Sequence, residues 1–406
     1  MNHRVVITGV GSLCSLGVGA PALWEGLMRA KTAIRQVMVS SCGLEVTIPG
    51  APVQNFDPLE HFNADELVIR DPFAQYAIVA AREAMRDAGL GPGEETPGDT
   101  SVILGSGGGG EQARQEAAVR LFHERKLRCN PMLVPKTNNQ ASVGFVTMEF
   151  MTTGPSFVVS TGCAAATHAI CQAYLMVRHG LARRAITGGS EAGLILGVVQ
   201  AFDAARVLSH DTCRPFSQGR DGMVIGEGGG VVILERLEDA RKRGANIYAE
   251  LAGVGMSADA SSAVHPKEQG PAQALTTALH AAGLNPEDID YINAHGTGTQ
   301  VNDRVESHAI RHAFGAHAGR LTVSSTKSLH GHTFGGAGGI ELVATLLAMK
   351  HNVAPPTVNY LGTDAECDLD YAPNEAKPRL IRNAIKQSFA FGGLNAVLAL
   401  RKEVSL

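Results

Sequence analysis

The alternation of short β-branched runs with longer amphipathic stretches is the feature that most constrains this chain. Val5 to Thr8, Ser101 to Leu104, Phe157 to Ser160, Val231 to Leu234, Ile289 to Asn293, Leu321 to Ser324 and Ala396 to Leu400 have the composition of buried strands. Between them, residues 72–89, 164–179, 271–282, 303–314 and 338–350 carry apolar residues at helical period. Strands and helices in alternation predict an α/β protein with sheets covered by helices on both faces. No proline- or serine-rich linker interrupts the pattern, so one compact unit is expected, with a two-part rhythm that breaks near residue 250. The 47 glycines, many in runs such as Gly107 to Gly110 and Gly335 to Gly339, point to tight turns and close backbone approach.

A formal charge of -4, with no dense basic tract, argues against nucleic acid as the main partner. There is no apolar run of membrane-spanning length and no leader-like start, and the expected location is the cytoplasm. The seven cysteines form no CxxC pair and are expected to be free thiols. Residues 5–17, VVITGVGSLCSLG, imitate the start of a dinucleotide-binding unit, but the match is weak: Gly9 and Gly11 serve equally well to shape a turn into a helix at 21–30. None of the six tyrosines is followed four residues later by lysine, as a short-chain reductase would require.

Phe157 to Ile170 is a strand, a glycine turn and a helix that begins at or just after Cys163. The free amides and dipole of a helix N-terminus favour a thiolate, the reactive form, and can also hold an oxyanion. A cysteine among small residues is as a rule inert packing, so the nucleophile reading needs partners. Two strand-end loops offer them: Asn293-Ala-His295-Gly-Thr297-Gly-Thr299, and Ser324 to His332, which carries Lys327, His330 and His332. A metal site built on His295, His330 and His332 is the competing reading. It is disfavoured because residues two apart in an extended segment face opposite ways, and because Asp303, Glu306 and Glu341 have a charge partner in Lys327.

Four separated motifs now make the chain recognisable. STGCAAA (160–166), NAHGTGT (293–299), STKSLHGHTFGGAGG (325–339) and SFAFGGLNA (388–396) occur in the order found in the β-ketoacyl synthases of thiolase-like fold, which the chain resembles over essentially its whole length. The resemblance implies two similar βαβαβαββ halves in a layered αβαβα sandwich, usually dimeric, with residues 1–250 carrying the nucleophile and 251–406 the histidine and lysine motifs. It implies that Cys163 accepts the acyl group and that His295 and His332 stabilise the enolate formed when a malonyl thioester loses carbon dioxide. Lys327 would pair with Glu306 and Glu341, with Asp303 joining that network. The amides of Cys163 and Phe391 would form the oxyanion hole, Phe391 would gate access on Gly392 and Gly393, and Thr297 and Thr299 would bind the pantetheine arm. No metal or organic cofactor is expected.

The resemblance further implies an acyl pocket at Gly108, Leu133 and Phe202, with Gly108 standing where a bulky aliphatic residue is common. Acyl-carrier-protein docking is expected at Arg125, Lys126, Arg128 and Arg206. His330 departs from the housekeeping pattern and is expected as a supporting or surface residue. Gly298, Ala390 and Leu394 also depart from it, towards nodulation, aryl-polyene and aromatic-polyketide members, which leaves fatty acid and polyketide pathways both open. Two alternatives remain: a thiolase-like acyltransferase, which would use a second cysteine as base, and a chain-length-factor-like subunit, which would lack the nucleophile. As an active subunit the chain is expected to form a homodimer, or a heterodimer with such a factor.

Overall fold

A computed structural model describes residues 2–91 and 100–402. Ten strands and six helices carry the architecture, and they repeat. The first half runs β1 (Val5–Cys14), α1 (Pro72–Asp87), β2 (Thr100–Gly105), α2 (Ala141–Phe150), β3 (Phe157–Val159), α3 (Ala165–Arg178), β4 (Arg184–Glu191) and β5 (Gly228–Arg236). The second runs β6 (Ala249–Ala258), α4 (Gln269–Ala282), β7 (Tyr291–Asn293), α5 (Gln300–Phe314), β8 (Thr322–Ser324), α6 (Ala337–His351), β9 (Asn383–Ala390) and β10 (Leu394–Arg401). Each is βαβαβαββ.

The sheets repeat as well. The order is β1-β5-β4-β2-β3 in the first and β6-β10-β9-β7-β8 in the second. In both, the first three strands are antiparallel and the last two join in parallel. A short antiparallel ladder, Val6 to Glu250 and Ile7 to Ala249, joins the two sheets at β1 and β6. Helices α3 and α6 pack between the sheets and touch both, whereas α1 and α4 cover the outer faces. Residues 337–349 of α6 are accordingly buried all round, as a helix in a central layer must be.

Gly9 and Gly11 do not shape a turn into a helix, as the sequence suggested. They lie inside β1, which runs on to Cys14, and they let α1 press onto the strand: a Cβ on Gly11 would stand 2.0 Å from the Ala80 carbonyl oxygen. The second half repeats the device, with Gly253 and Gly255 in β6 and a Cβ on Gly255 2.0 Å from the Ala274 carbonyl oxygen. Neither helix could approach so closely over a larger residue. The GVG triplets at 9–11 and 253–255 are thus an internal repeat with a packing cause.

Strands β4, β6 and β9 and helix α2 have no counterpart among the sequence-predicted elements. The first two are rich in glycine and alanine, which have low strand propensity, and α2 is buried on most of its surface and shows no polar-apolar periodicity. The two sheet edges differ. At β8 the Val323 amide donates to the Asp370 carbonyl at 2.8 Å, so that the edge is covered, and β8 is fully buried. At β3 no further strand follows in the sheet order among the described residues, and Phe157 is 40% exposed.

Candidate active site

The parallel strands β3, β7 and β8 end around one cavity of about 640 Å³, lined by Cys163, His295 and His332. Strand ends free a following loop from ladder geometry, so chemistry-bearing residues gather there. Beyond β3 a single tight turn, Gly162–Ala164, carries the half-buried Cys163 into α3. Beyond β7 comes His295, and beyond β8 a four-residue helix, Lys327–His330, precedes His332. Lys327 therefore lies on a helical turn, not on an extended loop. The β9–β10 turn closes the cavity with Phe391, 49% exposed, followed by Gly392 at φ 82° and Gly393 at φ 69°. Two consecutive left-handed residues make this turn a place for glycine alone.

The imidazoles of His295 and His332 meet edge to face, ring centres 5.4 Å apart. Burial first, and then the Lys327 charge, hold both well below the ordinary histidine range, so both are neutral. The Lys327 ammonium donates to the His295 carbonyl at 2.6 Å and lies 3.5 Å from its Nδ1. A donor at Nδ1 makes that nitrogen the acceptor and leaves the proton on Nε2. Both ring nitrogens of His332 are buried and have no hydrogen-bond partner among the described residues. An orphaned polar group in a cavity wall is expensive unless a ligand completes it.

Lys327 does not pair with Glu306, contrary to the expectation from sequence; its carboxylate partner is Glu341. Glu306, on α5, accepts the amides of His295 at 2.6 Å and Gly296 at 2.7 Å and the Gln387 side chain at 2.6 Å, because α5 starts directly after that loop and turns this carboxylate onto its amides. Burial raises it to about 7 against those bonds. Asp303 joins the loop similarly, accepting the amides of Phe216 at 2.7 Å and Gly298 at 3.2 Å, with Arg220 at 3.8 Å. His330 is buried, not at the surface. Its Nδ1 donates to the Gly331 carbonyl at 2.8 Å and its Nε2 accepts from the Thr326 hydroxyl at 3.0 Å, and burial lowers it to about 4.

The Cys163 thiol is raised to about 11, chiefly by burial, with Lys327 pulling the other way. Desolvation outweighs the pull of Lys327 and of the backbone amide, which favours the thiol over the thiolate. Thr297 and Thr299 line the cavity with hydroxyl oxygens 2.9 Å apart. Phe202 lines it too and stacks on Phe334 at 4.7 Å. Gly108 and Leu133 are placed elsewhere. The Gly108 amide donates to Glu191 at 3.2 Å and a Cβ there would meet the Glu111 side chain, while Leu133 lines a separate groove with Arg120, Arg128 and Lys136. The basic residues are split likewise: Arg206 borders the Cys163 cavity, whereas Arg125 and Lys126 lie on the exposed segment that leads to Arg128.

Two charged groups escaped the sequence reading. Glu191, at the end of β4, accepts the amides of Gly107 at 2.5 Å, Gly109 at 3.2 Å and Gly335 at 3.2 Å, tying the glycine run of the first half to the histidine loop of the second. Lys386, inside β9, is fully buried with its ammonium 2.7 Å from Glu341. The segment NAIKQSFA mixes Asn383, Lys386, Gln387 and Ser388 with apolar residues, so its sequence carries no signal that this lysine is buried. Among the described residues no group of three His, Cys, Asp or Glu side chains is placed to hold a metal ion, and no helix is long and apolar enough to cross a membrane.

Comparison with known proteins agrees with this geometry. Residues 2–240 match the β-ketoacyl synthase N-terminal domain and residues 248–361 its C-terminal domain. The chain is 45% identical over 403 residues to nodulation protein E of Rhizobium sp. (strain N33), covering 99% of this chain and 100% of that one. It is 40% identical over 409 residues to 3-oxoacyl-[acyl-carrier-protein] synthase 2 of Staphylococcus aureus (strain COL), covering 99% of each. Among solved structures, the ishigamide ketosynthase/chain length factor superposes with a TM-score of 0.93 at 32% identity, covering 100% of both chains. In motifs, fold and ancestry alike, the chain belongs to the β-ketoacyl synthase family and has its thiolase-like fold.

Proposed function

We propose that this acyl-transferring condensing enzyme extends a carrier-bound acyl chain by decarboxylative Claisen condensation, through an acyl group held on Cys163. The observation that carries the reading is one cavity bordered by a cysteine and two neutral imidazoles, one of them with no partner among the described residues.

In the first step the Cys163 sulfur attacks the acyl thioester carbonyl. The carrier's pantetheine thiol leaves with the sulfur's proton, and the amides of Cys163 and Phe391 hold the transient oxyanion. In the second, malonyl carrier protein enters along Thr297 and Thr299. Its carboxyl carbon–carbon bond breaks, carbon dioxide departs, and the electron pair becomes an enolate whose oxygen accepts from the His295 and His332 rings. Neutral imidazoles suit that task, since they donate without giving up their protons. The enolate carbon attacks the Cys163 thioester, the carbon–sulfur bond breaks, and the product is a 3-ketoacyl chain two carbons longer; the Cys163 thiolate that leaves takes up a proton from solvent to restore the thiol. No resident cofactor enters either step, because decarboxylation itself supplies the carbanion.

The S. aureus relative is named for synthesis on acyl carrier protein, which supports a carrier-bound substrate here. The ishigamide structure pairs a ketosynthase with a chain length factor, and the open β3 edge leaves a place for a second subunit, either a copy of this chain or a factor of that kind. Against a degradative thiolase, Cys163 alone of the described cysteines borders the cavity. We place the reaction in the cytoplasm, in fatty acid or polyketide assembly. Weighing the intact enzyme after incubation with acyl carrier protein tests the first step: acylation of the wild type and none of Cys163→Ala is expected, and acylation of the variant would overturn the assignment.

A further inference from the structure

Lysine is almost never fully buried, because an ammonium loses its hydration there, yet Lys386 and Lys327 are both fully buried and share one carboxylate. One lysine would neutralise Glu341. The second lies within the field of Glu306 as well, so two ammonium groups and two carboxylates are enclosed together inside the protein, an arrangement that packing does not require. The second ammonium is held firmly: besides Glu341 it donates to the Gln387 carbonyl at 2.7 Å and to the Ser388 hydroxyl. Ser388 in turn bonds Thr167 of α3 at 2.8 Å, one turn beyond Cys163. Neither Lys386, Lys327 nor Glu341 lines the cavity, so the charge lies behind the imidazoles and is not displaced by substrate.

We infer that Lys386 is a positioning residue of the condensation site: by sharing Glu341 with Lys327 and tying β9 to the first turn of α3 through Ser388, it holds the Lys327 ammonium against the carbonyl and Nδ1 of His295 and so steadies the rings that hold the enolate. The inference rests on the proposed condensation for its catalytic half only. The groups that face Lys386 are Glu341 on α6, Lys327 on the short helix, Glu306 on α5, Cys171 on α3 and the two imidazoles. Its charge lowers the proton affinity of both rings, whereas on the Cys163 thiol the foremost charges are those of Lys327, Glu191 and Glu341. The effect therefore separates the two half-reactions. Burial and Lys327 bring Lys386 itself down to about 8, so the charge is present below that pH and lost above it.

The test is Lys386→Met, which keeps an unbranched chain and leaves Glu341 paired with Lys327, its folding checked by thermal melting. NMR titration of the His295 and His332 rings should show their protonation midpoints raised in the variant. The kcat for condensation should fall about tenfold or more while the KM for malonyl carrier protein changes less than about twofold, and the alkaline limb near pH 8 should disappear. Should the variant fail to fold, the wild type provides the same test, since raising pH through about 8 removes the charge and should lower kcat with little change in KM. Unmoved ring titrations, or a kcat and pH profile like the wild type's, would refute the role. If even the wild type does not condense malonyl carrier protein, the proposed function fails instead, and the ring titrations still decide the electrostatic half of the inference.

Discussion

The two halves share one strand order, one pattern of parallel and antiparallel pairing, and one glycine device under the first helix, yet they contribute opposite kinds of chemistry. The first ends its third strand in a thiol; the second ends its second and third strands in imidazoles backed by buried ammonium groups. The lesson is that the repeat fixes where strand ends point, while the residues placed there are free to differ, so an electrophile-holding wall and a charge-stabilising wall face each other across one cavity. The edges differ as well: one half covers its edge strand with its own chain near Asp370, and in the other β3 has no further strand beside it among the described residues.

The largest effects should divide the halves by chemical step. Cys163→Ala should abolish the acyl-enzyme seen by intact mass. His332→Ala should retain it and slow condensation about a thousandfold, and loss of acylation in both would erase the division. The resting charge states give the next effect. With the thiol near 11, alkylation of Cys163, followed by peptide mass to separate it from the exposed Cys42 and Cys129, should accelerate about a hundredfold between pH 8 and 10. A plateau below pH 8 would mean that the thiolate is already formed.

The glycine device should be equal in the two halves. Gly11→Ala and Gly255→Ala each place a methyl group against a carbonyl and should each cost about 2 kcal/mol or more in urea unfolding, and a marked inequality would break the structural repeat. The smallest effect concerns the edges. Phe157→Asp at the open edge should weaken self-association or pairing with a partner subunit about tenfold, as read by native mass. Thr322→Asp at the covered edge should lower stability and leave the mass unchanged.

Much of the site was legible because reactive residues follow strands, and strands announce themselves by composition: Cys163, His295, Lys327 and His332 each stand a few residues beyond a run visible in sequence. What was not legible concerns partners across elements. Glu306 was assigned to Lys327 by resemblance, but its position on the first turns of α5 gives it to two loop amides. Gly9 and Gly11 looked like a turn because nothing in their neighbourhood announces a helix some 70 residues away that presses on them. Gly108 and Leu133, placed at the acyl pocket by resemblance, do not line the Cys163 cavity.

The sequence by itself determined the α/β alternation, the membership in a family and the identity of the groups that react, since periodicity and local motifs are properties of neighbouring residues. Only the tertiary structure decided which buried charges share a carboxylate, which histidine lacks a partner, and that burial favours the thiol of Cys163. Those outcomes depend on desolvation and on Coulomb interactions between residues on different elements, and both become large only once the fold has excluded water from the space between them.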